Sequence, residues 1–250
     1  MCTVVYIPNN NGTSYFASLR DESPLRPKAS IPKINDENEI KFLSPVDAYA
    51  GGTWIGVSDY NNVIVLLNGA FENHTRKNFY RKSRGLIVLE LLSCELPVVD
   101  WNLMNLTDVE PFTLIVFSDN NLFQLVWDGI NKTRILLDVS VPHIFSSSTL
   151  YSQTAKANRK DMFENWIAMN PPISKLSLLN FFKSFNDKEN GFIIDRSATM
   201  KTISYSFVEL QHHQTVGFNY YDFIDYKFTS IDMSIGKSLL SSLLPNHVKY

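Results

Sequence analysis

The chain opens with the stretch Cys2-Thr3-Val4-Val5-Tyr6-Ile7, directly behind Met1. This run is apolar and rich in β-branched residues, so it predicts an interior strand that is buried on both faces. Removal of Met1 would leave Cys2 with a thiol and a free α-amine. A thiolate is a strong nucleophile and the amine is a weak base, which together form an N-terminal nucleophile. The alternative is that Cys2 is a small hydrophobic residue of this strand.

Strand patterns dominate the first half of the chain and return near its end. An Asn-Asn-Asn-Gly turn at 9–12 joins the first strand to a second at 14–19, which predicts an antiparallel hairpin. Helical periodicity predicts helices at 81–94, ended by Pro97, and at 154–168 and 174–185. After position 230 the chain is predicted to be helical or irregular. Further strands are predicted at 53–58, 63–68, 112–118, 122–127, 134–139, 201–210 and 215–223.

The order of these elements predicts the fold class. Strands come in runs and helices lie between the runs, which favours α+β layers over a parallel βαβ fold. Two antiparallel sheets, covered by helices on their outer faces, fit this order. No linker is evident, so residues 1–250 are predicted to form a single domain. The helix at 154–168 is predicted to bury Ala157, Met162, Phe163, Trp166 and Ile167.

Composition excludes several classes of function. The chain has 250 residues, 44% of them hydrophobic, and a formal net charge of -2. No block of Lys or Arg forms an electrostatic footprint, so nucleic acid is not an expected partner. No apolar stretch is long enough to span a bilayer. Because the chain enters a strand at once and its two cysteines, Cys2 and Cys94, make no disulfide framework, we expect a cytoplasmic protein.

Two further motifs carry no cofactor chemistry. His212 and His213 have no partner at metal-ligand spacing, and we expect them to be exposed. Gly51-Gly52 lacks the remaining residues of a phosphate-binding loop and is predicted to allow a close approach of two backbone segments. We therefore expect neither a metal nor another cofactor.

Four stretches within the N-terminal third carry a resemblance to a known family. They are Met1-Cys2 opening a strand, Ala-Ser-Leu-Arg-Asp-Glu at 17–22, Gly-Gly-Thr-Trp-Ile-Gly at 51–56, and Ser-Arg-Gly at 83–85 opening a helix. In order and spacing, this set resembles the Transport and Golgi organization protein 2 family, also called the NRDE family. The family's Asn-Arg-Asp-Glu signature is kept here except that Leu19 replaces the asparagine.

The resemblance implies an N-terminal-nucleophile fold with four layers, αββα, related to bile salt hydrolases and penicillin V acylases. Eukaryotic members of the family are linked to secretion, to Golgi organisation, and to lipid or heme handling. The implied partner is therefore a small-molecule amide or a lipid-like or heme-like ligand.

The resemblance also implies roles near the nucleophile. In the related acylases an arginine and an aspartate hold the nucleophile, and the matching residues here are Arg20 and Asp21, which follow the predicted second strand. A guanidinium lowers a thiol pKa, and a carboxylate orients an α-ammonium. The acylase spacing would place the acid at Ser23, so Asp21 and Glu22 both stay open as the orienting residue. The alternative is an ordinary ion pair at a strand end.

An oxyanion site is the next requirement for amide hydrolysis. Asn68 ends the predicted strand at 63–68, and its side-chain amide is able to donate to an oxyanion. The alternative is a simple turn residue. The acylase pattern also implies a second oxyanion asparagine near Ser146, Ser147 and Ser148, where this chain has only serines, a departure that puts full acylase activity in doubt.

Trp54 and Arg84 are the candidate substrate-binding residues. Trp54 either packs in the core or lines a pocket. Arg84 lies in the first turn of its helix, where it contacts a carboxylate or phosphate or is a solvated charge, and we favour the solvated charge.

The leading hypothesis is an amide hydrolase that uses Cys2, and the alternative is a non-catalytic chaperone that binds heme, lipid or another small molecule. A structural interaction protein is the third possibility.

Overall fold

The structure is a computed structural model that describes residues 3–9, 12–37, 40–185, 187–196, 199–211 and 214–236. Within these residues the chain forms two antiparallel sheets and four α-helices. The strands are β1 (Thr3–Asn9), β2 (Thr13–Glu22), β3 (Lys33–Glu37), β4 (Ile40–Ser44), β5 (Ile55–Ser58), β6 (Val63–Asn68), β7 (Phe112–Ser118), β8 (Asn121–Trp127), β9 (Lys132–Leu137), β10 (His143–Ser146), β11 (Lys201–Gln211), β12 (Thr215–Asp222) and β13 (Lys227–Ser234). The helices are α1 (Arg84–Leu92), α2 (Pro97–Leu103), α3 (Gln153–Ala168) and α4 (Lys175–Ser184).

The first strand lies inside the six-stranded sheet, whose order is β10-β1-β2-β11-β12-β13. Val4 and Tyr6 belong to the core between the two sheets. Val5 and Ile7 pack instead with apolar residues of α3 and α4. The prediction of an interior strand buried on both faces is therefore confirmed for its described residues, because neighbouring side chains of a strand point to opposite faces.

The predicted hairpin is present, but its second strand is longer than predicted. β1 and β2 pair antiparallel from Thr3 opposite Leu19 to Asn9 opposite Thr13. β2 continues to Glu22, where it pairs with Lys201 at the start of β11. Arg20 and Asp21 therefore lie within the strand rather than after it, so their side chains point to opposite faces.

The second sheet has seven strands in the order β3-β4-β5-β6-β7-β8-β9, a meander in which each strand pairs with the next. Its β3–β4 hairpin was not predicted. Most side chains are buried in the four strands β5, β6, β7 and β8 of this sheet. The helices α1 and α2 pack on this sheet, with Ile87, Leu91 and Trp101 in the same core.

The helices α3 and α4 cover the outer face of the six-stranded sheet through Phe163, Leu178, Phe181 and Phe182. The resulting order of layers is α, β, β, α, which confirms the predicted fold class. None of the helices in the described part of the chain is long and apolar enough to cross a membrane.

Several local predictions were wrong. Pro97 begins α2 instead of ending the preceding helix region, because proline fits the first turn of a helix, where no amide donor is needed. The segment after position 230 continues strand β13 as far as Ser234. In α3, Ala157 is exposed whereas Arg159 is buried.

Candidate active site

A cavity of about 820 Å³ lies where the ends of β2 and β6 meet the first turn of α1. β2 contributes Arg20, Asp21 and Glu22 to its wall, and β6 contributes Asn68. Arg84 and Gly85 line it from α1. The fold therefore brings Arg20, Asp21, Asn68 and Arg84 to one cavity, although they are far apart in the sequence.

Arg20 is the most buried cation in this wall, with 3% of its surface exposed. Its guanidinium stacks over the ring of Trp54 at 4.3 Å and forms an ion pair with Asp47. Burial lowers the pKa of Arg20, and the charge of Asp47 opposes that effect. The Nη1 atom of Arg20 has no hydrogen-bond partner among the described residues.

Asp47 holds Arg20 in place and was not predicted from the sequence. Its carboxylate also accepts hydrogen bonds from Nε and Nη2 of Arg26 at 2.8 and 2.9 Å and from the amide of Ala50 at 2.8 Å. Burial alone would raise the pKa of Asp47, but these hydrogen bonds and the two guanidinium charges hold it below its ordinary value. An aspartate shortly before Gly51-Gly52 is an Asx-turn signal, and this signal could have identified it.

Asp21 lies on the opposite face of β2 from Arg20. Tyr151 donates a hydrogen bond to Oδ2 of Asp21 at 2.7 Å, and Thr202 donates to Oδ1 at 2.5 Å. Thr202 in turn accepts a hydrogen bond from the amide of Ile194 at 2.9 Å. Asp21 is thus a fixed, buried carboxylate rather than half of a surface ion pair.

A buried arginine of α3 connects this network to the start of β1. The guanidinium of Arg159 stacks on the ring of Tyr151 at 3.4 Å, and its Nη1 donates to Oγ1 of Thr3 at 3.0 Å. Nε of Arg159 donates to the carbonyl of Asn190 at 3.0 Å. Arg159 therefore ties the residue that follows Cys2 to the tyrosine that holds Asp21.

Asn68 ends β6 at the cavity wall. Its backbone carbonyl accepts a hydrogen bond from Oγ of Ser147 at 2.7 Å. Gly69 follows with a φ of 81°, and a Cβ there would lie 2.8 Å from Cγ2 of Thr149. Glycine is needed at this position for both its left-handed backbone and its close packing.

A close backbone contact sets the distance between the two sides of the cavity. A Cβ at Gly52 would lie 2.7 Å from Cα of Gly85, and the amide of Thr53 donates to the carbonyl of Gly85 at 3.0 Å. The predicted close approach at Gly51-Gly52 is confirmed. Trp54, which follows, is 3% exposed and lies beneath Arg20 rather than at the cavity wall.

A model of the family described as Transport and Golgi organisation 2 matches residues 1–218. The chain belongs to this family. The predicted resemblance is therefore confirmed. A search of curated proteins gave no match.

Solved structures similar to this member of the Transport and Golgi organisation 2 family show its fold. An arginine-to-leucine variant of conjugated bile acid hydrolase from Clostridium perfringens has a TM-score of 0.57 at 10% identity, with 99% of this chain and 100% of that chain covered. A Caenorhabditis elegans ortholog of N-acylethanolamine-hydrolyzing acid amidase has a TM-score of 0.57 at 11% identity, with 82% and 92% covered.

In this family member Arg84 is largely buried, with 17% of its side chain exposed. Its Nη2 lies 3.2 Å from Oε2 of Glu110, and its Nη1 donates to the carbonyl of Pro111 at 3.4 Å. Burial lowers the pKa of Arg84, and the charge of Glu110 opposes that effect. The interpretation of Arg84 as a solvated charge was wrong.

Three predicted residues lie outside the described residues. They are the proposed nucleophile, Cys2, and the histidine pair His212 and His213. Cys94 is described and is half-buried just after α1, where its Sγ donates to the carbonyl of Glu90 at 3.1 Å.

Proposed function

We propose that the protein hydrolyses a linear amide with Cys2 as an N-terminal nucleophile, exposed by removal of Met1. The observation that carries the proposal is the buried cation Arg20, which lines the cavity and is held in place by Asp47 and Trp54. Thr3, the residue after Cys2, pairs with Leu19, the residue before Arg20. A buried guanidinium near a thiol lowers its pKa and favours the thiolate.

The proposed reaction divides into acylation and hydrolysis. The α-amine of Cys2 takes the thiol proton, the sulfur attacks the carbonyl carbon, and the carbonyl oxygen becomes an oxyanion. The C–N bond then breaks as the α-ammonium returns the proton to the leaving nitrogen. A water molecule, deprotonated by the same amine, cleaves the thioester and releases the acid. The side-chain amide of Asn68 is assigned the role of oxyanion donor.

We assign orientation of the α-ammonium to Asp21 rather than Glu22. Glu22 lies 3.7 Å from Nη2 of Arg20 and 3.5 Å from Nε of Arg26, so its charge is shared with two guanidinium groups. Asp21 is 2% exposed and is fixed by hydrogen bonds from the hydroxyls of Tyr151 and Thr202. Trp54 contributes by supporting Arg20, and Arg84 contributes a cation to the wall.

One observation favours the second candidate function, a non-catalytic binding protein for heme, lipid or another small molecule. The segment 146–148 contains serines where the acylase pattern has an asparagine, and Ser147 uses its hydroxyl to hold the backbone of Asn68. Such a protein would use the same cavity without covalent chemistry.

Intact-mass analysis of protein from its native host tests the proposal first, because the mature chain should begin at Cys2. A panel of N-acyl amides should then be hydrolysed by the parent and not by Cys2→Ala, while both proteins unfold at the same temperature. Retention of Met1 in all molecules would refute the enzyme proposal. Heme or lipid binding that survives Cys2→Ala, with no hydrolysis by the parent, would favour the second candidate.

A further inference from the structure

The cavity wall carries more positive than negative charge, although the whole chain has a formal net charge of -2. Six of the lining residues are Lys or Arg and four are Asp or Glu. Arg20 and Arg26 are balanced by Asp47 and Glu22. At the other end Lys77 and Lys82 pair with Asp108 and Glu90, so the positive excess lies with Arg76 and Arg84, which share Glu110.

That end is organised around Glu110, which precedes β7. Nη2 of Arg84 lies 3.2 Å from Oε2 of Glu110, and Nε of Arg76 lies 3.8 Å from Oε1. Nε2 of His74 lies 3.5 Å from the same Oε1, and its buried Nδ1 has no hydrogen-bond partner among the described residues. We refer to His74, Arg76, Arg84 and Glu110 as the Glu110 cluster. Two guanidinium groups in this cluster share one carboxylate.

The start of α1 adds to the positive potential at the Glu110 cluster. The N-cap Ser83 makes no side-chain capping bond, and the first turn contains no acidic residue. A helix N-terminus carries a partial positive charge and favours an anion. Because Gly52 and Gly85 are in close backbone contact, this terminus is held against the same cavity that Arg20 lines.

We propose that the Glu110 cluster binds an anionic group of the ligand, either a carboxylate or a phosphate monoester. Guanidinium groups bind both anions through paired, charge-assisted hydrogen bonds. The anion site rests on the proposed function in one respect, because the scissile amide is taken to lie at the Arg20 end of the cavity. The substrate class is then an acyl amide with a negative charge on one side of the amide.

Binding can be measured without catalysis in the Cys2→Ala protein. Isothermal titration with two matched pairs of ligands separates charge from shape. The pairs are N-decanoyl-glycine with N-decanoyl-glycinamide, and the phosphate ester of N-decanoyl-ethanolamine with N-decanoyl-ethanolamine itself. We expect at least one anion to bind about tenfold or more tightly than its neutral partner, because charge-assisted hydrogen bonds exceed neutral ones. The pair that shows this preference identifies the anion.

Variants of the cluster distinguish an anion site from a structural cluster. Arg84→Gln and the exposed Arg76→Gln should each reduce the preference for the anion, whereas Glu110→Gln should increase it by removing a competing carboxylate. A purely structural cluster would lose affinity in all three variants, because each removes at least one ion pair of Glu110. Arg81→Gln is the matched control, because Arg81 donates to the carbonyls of Asn105 and Thr107 and does not line the cavity.

Equal binding of anionic and neutral partners would overturn the proposal, as would absence of binding by all four ligands or a reduced preference in Glu110→Gln. If Glu110→Gln does not fold, the comparison of Arg76→Gln with Arg81→Gln decides. The proposed hydrolysis is judged separately, by turnover of all four amides in protein that retains Cys2. An anion preference without turnover would therefore refute the hydrolase and leave the anion site standing.

Discussion

Replacing Asp47 by asparagine should destabilise the protein strongly at neutral pH. The substitution keeps the shape of the side chain but removes the charge that faces Arg20 and Arg26. Arg20 is 3% exposed and would lose its nearest counter-charge, with Glu22 at 3.7 Å as the remaining ion-pair partner among the described residues. Breaking a buried ion pair by removing one partner costs about 3–5 kcal/mol. We expect the lower part of that range, about 3 kcal/mol, because the amide oxygen can still accept from the backbone.

The pH dependence of this loss follows from the pKa of Asp47. That pKa lies below its ordinary value in the folded protein. The carboxylate therefore contributes its full stabilisation above its unfolded pKa of about 3.9, and loses it as the pH falls through the lower folded value. The difference in unfolding free energy between parent and Asp47→Asn should be constant from pH 7 to about pH 5 and should shrink below about pH 4.

Urea unfolding followed by tryptophan fluorescence measures this difference, because Trp54 stacks directly on Arg20. The matched control is Asp36→Asn, since Asp36 is 62% exposed and lies 3.8 Å from Lys41 in a surface pair. That control should change stability by about 0.5 kcal/mol or less. A loss below about 1 kcal/mol for Asp47→Asn at pH 7, or an equal loss at pH 7 and pH 3, would contradict the argument.

Three further predictions concern reactivity and packing. Cys2 should be alkylated faster than Cys94, because burial and nearby acidic groups raise the pKa of Cys94 to about 11. The thiolate fraction of Cys94 near pH 7 is then about 300-fold smaller than that of a free cysteine. Peptide mapping after brief iodoacetamide treatment measures the two rates, and equal labelling would contradict the prediction. Gly52→Ala should cost about 1–3 kcal/mol in urea unfolding, because the new Cβ would meet a facing backbone segment, and an unchanged midpoint would argue against that contact. Tyr151→Phe should cost about 1–3 kcal/mol by removing a donor to the buried Asp21, and a loss within error would show that this hydrogen bond contributes little.

The sequence predicted the elements whose pattern is local. The run at 2–7 has no polar alternation, and its described part is buried on both faces. Strands β5 to β9 and helices α1, α3 and α4 were predicted close to their observed bounds, because each has its own apolar period. The β3–β4 hairpin was missed because β3 reads Lys-Ile-Asn-Asp-Glu, a polar edge strand that buries few apolar side chains.

The functional residues that sequence reasoning missed are charged side chains buried by distant partners. Arg159 reads as a solvated residue of an amphipathic helix, yet it is 1% exposed. It bonds Thr3, which is 156 positions away. Its burial is stabilised by backbone carbonyls and by the ring of Tyr151, and neither is visible in a local pattern. Asp47 was missed for the same reason, because its charge partners lie 21 and 27 positions earlier.

The serines at 146–148 bear directly on the rate expected of the proposed hydrolase. Ser147 is 1% exposed and donates to the carbonyl of Asn68, while Oγ1 of Thr113 donates to the carbonyl of Gly69 at 3.0 Å. The backbone carbonyls of Asn68 and Gly69 therefore each accept a hydrogen bond from a side-chain hydroxyl, which fixes the backbone at Asn68. This leaves Asn68 as the single side-chain amide assigned to the oxyanion, where the acylase pattern has two. Loss of one such donor lowers turnover by about 10²–10³-fold, so the proposed enzyme is expected to be slow compared with two-donor hydrolases. Tight binding at the Glu110 cluster would offset this loss only where the anion is held more strongly in the transition state than in the ground state.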